Sequence, residues 1–364
     1  MANKESIRIC FIAPKAYALF NPQVDVVIGG AEVDLYFLAT ELAKDPAYEV
    51  SFITADYGQP AEEMIDGVRI IAGMDFQHHV LRGALAFWRR LRETNAQMYL
   101  IKTISLGTFM TAFFCWFHKK TFLYRTAHAT HCDGSYQRRH FVLGHIYNWA
   151  LKTARYIFVQ NQSDQADLSR TVGVNSIVIP NGHRLLDTSI HERETILWVG
   201  RSAPFKRPRL FLELALAFPA ERFVMICQRA TGDADYQALK ERAHAQDNVT
   251  FIERVPFREG DRFFQQAKIF INTSDAEGFP NTFIQACMAG TAIASLNVNP
   301  DDFLGQHNCG YACNDRLEQL VDAVRNLLTD KTYQTMGQNG RDYMAQTHDV
   351  TNTCEQYKTW LART

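Results

Sequence analysis

The amino-acid sequence predicts an α/β protein made of two doubly wound parallel-sheet domains, and three observations carry that reading. At 364 residues the chain is more than twice the ~150 residues of an ordinary domain. Short apolar runs alternate with helical periodicities through both halves, the pattern of successive βαβ units. The alternation breaks once, at Pro180-Asn181-Gly182, where a turn signal opens a polar, irregular stretch reaching Glu194.

In the first half, strands are expected at 7–13, 50–54, 68–72, 122–125, 157–160 and 177–180. These runs are rich in β-branched, aliphatic and aromatic residues, as strands covered on both faces require. Between them lie helical patterns, the first with Leu35, Leu38, Ala39 and Leu42 on one face after Gly29-Gly30. The second half repeats the scheme with strands at 196–199, 223–227, 249–252, 269–272 and 292–295, each followed by a helical segment. No repeat of solenoid length is present.

Composition narrows the function. With 47% hydrophobic and 21% charged residues the chain is globular, which excludes disordered and collagen-like classes. A net charge of −1 argues against a general nucleic-acid binder. The run 7–13 is too short for a secretory signal, contains Arg8 and ends at Pro14. The uncharged, strongly apolar stretch 103–117 falls short of the ~20 residues of a membrane-spanning helix. With eight scattered cysteines, a reduced cytoplasmic compartment is the expectation. Charge is unevenly distributed: residues 82–155 carry 12 Lys and Arg against only Glu93 and Asp133, whereas residues 1–81 have a net of −7. That block reads either as a solvated face or as a surface for anionic headgroups, since Trp88 and Trp116-Phe117 adjoin its basic runs.

Ligands of doubly wound sheets bind at the carboxyl ends of strands, and three loops there carry unusual chemistry. Gly29-Gly30 opens the first helix and lets backbone N–H groups approach an anion, although an ordinary N-cap turn has the same sequence. Gly200-Arg201, with Lys206 and Arg207 close behind, sets a guanidinium fork and an ammonium where a diphosphate could lie; a solvated basic loop is the alternative. The most specific loop runs Ser274-Asp275-Ala276-Glu277-Gly278-Phe279-Pro280-Asn281-Thr282 and leads into a helix containing Gln285. It places an acidic group just ahead of a helix N-terminus, a layout suited to sugar hydroxyls beside a phosphate.

On these residues the chain resembles the family 4 retaining glycosyltransferases of GT-B fold, in which two Rossmann-like domains face each other across a cleft. The matches are Gly29-Gly30-Ala31-Glu32, Ile179-Pro180-Asn181-Gly182, Gly200-Arg201 with Lys206, and Glu277-Gly278-Phe279 leading to Gln285, in family order across nearly the whole chain. The run from Gly278 to Phe283 looks like that of bacterial members that build surface polysaccharides. The resemblance implies an N-terminal acceptor-side domain over 1–183, a nucleotide-sugar-binding domain over 184–347, and a closing helix within 348–364 that crosses back to the first domain. By the same resemblance, Arg201 and Lys206 hold the donor diphosphate, Glu277 binds donor-sugar hydroxyls, and Gly29 and Gly30 approach the phosphates. Val255, Gly278, Phe279, Asn281, Thr282 and Gln285 complete the donor-binding set. The loop after the strand at 122–125 contributes His128 as a catalytic candidate and Asp133 on the acceptor side, both of which could equally cap the helix that follows.

Two departures stand out. The family's second acidic residue, eight after the first, is Gln285, and an amide offers the ribose diol one acceptor and one donor group where a carboxylate accepts from both hydroxyls. Replacing Gln285 by Glu is therefore expected to tighten donor binding or leave it similar. Cys227-Gln228-Arg229 stands in place of a glycine-rich turn. His128, His131, Cys132 and Asp133 lie within six residues, but one contiguous loop rarely closes a metal shell, and no metal is expected. Cys309 and Cys313 read as incidental thiols.

The expected function is retaining transfer of a hexose from a UDP- or GDP-linked donor to a glycan or lipid-linked acceptor, in polysaccharide or lipid-linked glycan assembly. No cofactor beyond the co-substrate and no nucleic acid is expected, and the expected location is the cytoplasm or the periphery of the cytoplasmic membrane face. A nucleotide-sugar epimerase of the same fold and a non-catalytic glycosyltransferase-like subunit are the rivals.

Overall fold

The computed structural model describes residues 6–363 except Asp25, 75–79 and 187–191. The chain divides into two compact units, Met1–Gly182 with Val350–Thr364, and His183–Asp349.

The first unit contains eight strands: β1 (Ile7–Ile12), β2 (Tyr48–Ala55), β3 (Glu62–Ile65), β4 (Val68–Met74), β5 (Met98–Lys102), β6 (Thr121–Arg125), β7 (Tyr156–Val159) and β8 (Ile177–Val178). They form one sheet in the order β3-β4-β2-β1-β5-β6-β7-β8. All pairings are parallel except β3 with β4. Numbering only helices of eight residues or more, this unit carries α1 (Gly30–Leu42), α2 (Val80–Thr94), α3 (Leu106–His118), α4 (Phe141–Thr153) and α5 (Gln162–Val172).

The second unit holds β9 (Thr195–Arg201), β10 (Arg222–Gln228), β11 (Val249–Ile252), β12 (Ala267–Asn272), β13 (Ala292–Ser295) and β14 (Gly310–Ala312), in the all-parallel order β11-β10-β9-β12-β13-β14. Its helices are α6 (Pro208–Leu216), α7 (Tyr236–His244), α8 (Phe257–Gln266), α9 (Asn281–Met288), α10 (Leu317–Leu328) and α11 (Thr332–Thr347). The closing helix α12 (Val350–Leu361) belongs to the first unit and packs on α1.

Strand alternation explains the continuous apolar runs. Ile196, Trp198, Phe223, Met225, Ile269 and Ile271 are buried on one face of the second sheet, and Leu197, Val224, Ile226 and Phe270 on the other. Helices cover both faces, so no polar alternation survives in the sequence.

Three strands escape the sequence reading. The run 98–102 ends in Lys102, which breaks the apolar pattern, yet it forms β5, paired on both sides by β1 and β6. β14 is three residues long. β3 makes the first sheet mixed and corrects the expectation of a purely parallel one. The signal for it was present: Asp66-Gly67 joins β3 to β4 with φ of 52° and 77°, the paired left-handed conformation of a tight hairpin turn.

Candidate active site

Strand order reverses in the second sheet between β9 and β12, which are neighbours although far apart in sequence. Loops leaving adjacent strands at such a point diverge to opposite faces and leave a crevice between them. Here those two loops carry Arg201 with Lys206, and Glu277. They are fastened to each other: Thr273 Oγ1 donates to the Lys206 carbonyl (2.6 Å), Trp198 Nε1 donates to Thr273 Oγ1 (2.9 Å), and the Asp275 N–H donates to the Phe205 carbonyl (2.8 Å). Arg207 adds ion pairs to Asp275 (2.8 Å) and Asp315 (2.5 Å). Arg207 is therefore a structural clamp, with its backbone at φ 47° just before Pro208 starts α6.

This fastening brings Lys206 Nζ to 2.7 Å from Glu277 Oε2, with the two side chains 16% and 14% exposed. Glu277 Oε1 accepts from Asn272 Nδ2 (3.0 Å), and Asn272 is itself oriented by the Ser274 N–H (3.1 Å). Burial opposes the Glu277 charge, but the Lys206 ammonium and the hydrogen bonds from Lys206, Ser274 and Asn272 outweigh it and hold the carboxyl below its ordinary range. Glu277 is thus a fixed anion and acceptor. Asn272, which positions it, carried no distinctive signal in the sequence, and Ser274 was legible only as the start of the Glu277 loop. Arg201 ends β9, is exposed, and makes no ion pair among the described residues.

The rest of the expected donor set divides by burial. Asn281 opens α9 after Pro280, and Thr282 follows in its first turn, so that helix end faces the Glu277 loop. Gly278 is buried, and the Phe279 ring is only 6% exposed. That ring packs against Phe303 (5.1 Å between centroids) and His348 (4.5 Å), which commits it to the core. Val255 is half-buried against the same apolar cluster. Gln285 is half-buried on α9, and its Nε2 donates to Asp261 Oδ1 on α8 (3.2 Å). A carboxylate therefore stands beside the amide, contributed by a helix that no sequence pattern connects with it. At the place of the expected glycine-rich turn, β10 continues to Gln228, and Arg229 closes the following loop on the Asp233 carbonyl.

In the first unit the reversal falls between β1 and β5. Gly29 is the N-cap of α1, and its N–H donates to Glu32 Oε2 (3.0 Å), so an anion binding there would have to displace a carboxylate. Lys102 and Arg125, at the ends of β5 and β6, converge on Asp34 of α1 at 2.7 and 2.5 Å. Asn181 Oδ1 accepts from both cations, and Arg125 also donates to Tyr357 of α12. The Ile179-Pro180-Asn181-Gly182 run thus serves this cluster.

His128 caps the short 3-10 turn Ala129–His131, its Nδ1 accepting from the Thr130 N–H (3.2 Å), and Asp133 accepts from the Ser135 N–H (2.7 Å). His128 therefore caps a 3-10 turn, and Asp133 forms a turn onto the first residue of the short helix Ser135–Arg139, whose N-cap is Gly134. Burial first, then the His128 and Lys102 charges, bring His131 down to about 3, so it is neutral. Among the described residues no group of three or more His, Cys, Asp or Glu is placed to hold a metal ion. All eight cysteines are free and buried.

Comparison with known proteins agrees with this architecture. The model described as glycosyl transferases group 1 matches residues 187–343, and that of glycosyltransferase family 4 matches residues 28–185. No curated protein matches the chain at a significant level. Among solved structures, sucrose-phosphate synthase from Thermosynechococcus elongatus superposes with a TM-score of 0.78 at 16% identity, covering 98% of this chain and 100% of that one. Anabaena HepE, solved in complex with UDP, gives 0.75 at 16% identity over 98% and 100%. S. aureus TarM, solved as a mutant with fondaparinux, alpha-GlcNAc-glycerol and UDP, gives 0.75 at 12% identity over 98% and 99%. At these identities the structural likeness concerns the fold. With one glycosyltransferase model on each unit, and two α/β units whose sheets are parallel apart from the edge strand β3, the chain belongs to the family 4 glycosyltransferases and has the GT-B fold.

Proposed function

We propose that the protein transfers a hexose, with retention of configuration, from a UDP- or GDP-linked donor to a hydroxyl of a glycan or lipid-linked glycan. It would do so in surface-polysaccharide assembly, as a peripheral enzyme of the cytoplasmic membrane face. The observation that carries the donor reading is the Lys206–Glu277 pair, part-exposed where the loops of β9 and β12 meet ahead of α9. An ammonium and a helix N-terminus suit a diphosphate, and an ionised carboxylate beside them suits sugar hydroxyls. That HepE and TarM of this fold were solved with UDP supports a nucleoside diphosphate.

In the reaction, the acceptor oxygen bonds to the anomeric carbon on the face from which the diphosphate departs. The carbon–phosphate oxygen bond breaks, and the acceptor proton passes to the departing phosphate. Negative charge grows on the leaving group, where Arg201, Lys206 and the α9 N-terminus stabilise it without reorganising; this charge set supports a reaction needing no metal. His128, held by its cap, and Asp133 stand on the acceptor side. Asp261 takes the role of the missing second carboxylate toward the ribose, with Gln285 orienting it.

Lys206→Ala tests the proposal. Turnover should fall about 10²-fold or more while donor binding changes far less, since the charge it meets grows in the transition state. Unchanged turnover would remove Lys206 from the mechanism. Nucleoside diphosphate released only when acceptor is present separates transfer from epimerisation.

A further inference from the structure

Among the described residues, fourteen large apolar side chains are exposed, and eleven of them lie between Leu81 and Trp149 in the first unit. They fall on α2, α3 and α4 or next to them, and α3 packs against both of the others. α3 is apolar on its outer side. Leu106, Phe113, Trp116 and Phe117 are 57%, 47%, 61% and 62% exposed at helical spacing, whereas Thr108, Thr111 and Ala112 face inward. Trp88 of α2 extends the patch, its ring 5.8 Å from Phe113, and Phe113 stacks on Trp116 at 5.7 Å. At the start of α4, Phe141 and Val142 are 76% and 68% exposed. Single exposed apolar residues are ordinary; a ring cluster spread over adjacent helices marks an interaction surface.

The same segment holds the basic block. Two of its twelve cations, Lys102 and Arg125, are buried against Asp34, and the others, including Arg82, Arg89, Arg92, Lys119, Arg138 and Arg139, are exposed or half-buried. Of the two acidic residues, Glu93 pairs with Arg89 and Arg90. Two copies meeting through this face would oppose like charges, whereas an anionic bilayer supplies the complement, with headgroups for the cations and an interfacial layer that favours aromatic rings.

We propose that this face docks reversibly on anionic phospholipid, with Trp116, Phe117 and Phe141 entering the interface and the arginines meeting headgroup phosphates. This deepens the peripheral-membrane part of the proposed function and rests on it, but not on the donor chemistry.

Co-sedimentation with vesicles of phosphatidylcholine alone, or carrying about one-third phosphatidylglycerol, tests the assignment. The protein should bind only the anionic vesicles and should dissociate between ~0.05 and ~0.5 M salt. Trp116→Glu/Phe117→Glu should weaken binding at least about tenfold, with thermal unfolding unchanged, and Arg89→Gln and Arg92→Gln about fivefold each. Equal or negligible binding to both vesicles, or full binding by the Trp116→Glu/Phe117→Glu variant, overturns the proposal. So does a solution dimer that this double substitution disperses, without vesicle binding, because the face then belongs to a second copy. Lys206→Ala should leave vesicle binding intact, so failure of the donor reading and failure of this one are distinguishable.

Discussion

At the carboxyl end of the first sheet, Lys102 and Arg125 share Asp34, with side chains 2%, 0% and 3% exposed; at that of the second, Lys206 meets Glu277 with side chains 16% and 14% exposed. Both clusters sit on strands flanking or near a reversal of strand order. In the first, Asn181, the Ile179 carbonyl and Tyr357 use the remaining donors of Arg125, and the cluster ties β5, β6, α1, the end of the unit and α12 together. In the second, the supporting contacts come from two loops, and water can reach the pair. A charge pair at a switch point is thus architectural when it is closed off and satisfied from within, and available to a ligand when loops leave it part-open.

The contrast is tested most directly at Asp34. Asp34→Asn leaves two buried cations without their anion and should cost about 3–5 kcal/mol, read by urea unfolding, whereas Lys206→Ala should cost turnover and little stability. The pH dependence has a definite sign. Burial works against the Asp34 charge, but Arg125 and Lys102 prevail and hold its carboxyl below the ordinary range. Its contribution is therefore complete above that range and is lost as pH falls through the lowered value. In the Asp34→Asn variant this acid-side loss should be absent. Burial brings Lys102 down to about 8 even with Asp34 beside it. With the carboxylate gone, stability should instead rise as Lys102 sheds its proton, because the unfolded chain then holds more protons. Parallel acid limbs in the two proteins would show that Asp34 is not ionised in the fold.

Gly182 tests the same cluster more gently. A Cβ there would collide with Thr353 Oγ1 and stand 3.1 Å from the Val350 Cα, so Gly182→Ala should push on α12 and cost about 1–3 kcal/mol. A melting temperature equal to the parent's would mean that α12 gives way without loss.

The smallest effect concerns the second cluster. Asp261→Asn should weaken donor binding by about 1–2 kcal/mol, measured by calorimetry with UDP and GDP. A Glu at 285 would set two carboxylates face to face, so Gln285→Glu should bind no better than the parent until Asp261→Asn is added. This narrows what the sequence suggests for that substitution, which is tighter or similar binding, and tighter binding by Gln285→Glu alone would count against Asp261 in this role.

Much of the architecture was legible because each element reports its own burial. Apolar runs such as 196–199 and 223–227 read as strands since helices cover both faces of the sheet, and Pro180-Asn181-Gly182 marked the break since turn chemistry is local. The loops with Lys206 and Glu277 stood out for the same reason: charge, glycine and proline at a strand end form a short-range pattern. The density of cations over 82–155 also needed only counting.

Packing settled whatever depends on residues far apart in sequence. Lys102 hid β5 because a lysine at a strand end reads as solvent, until Asp34, 68 residues away, is seen to neutralise it. Lys206 and Glu277 become one pair only because β9 and β12 are neighbours, and Asp261 reaches Gln285 only because α8 packs on α9. Whether Trp116 or Phe114 faces outward follows from which side of α3 meets the sheet. Periodicity carries information over a few residues, whereas strand order and ion pairing are set by the packing of the whole unit.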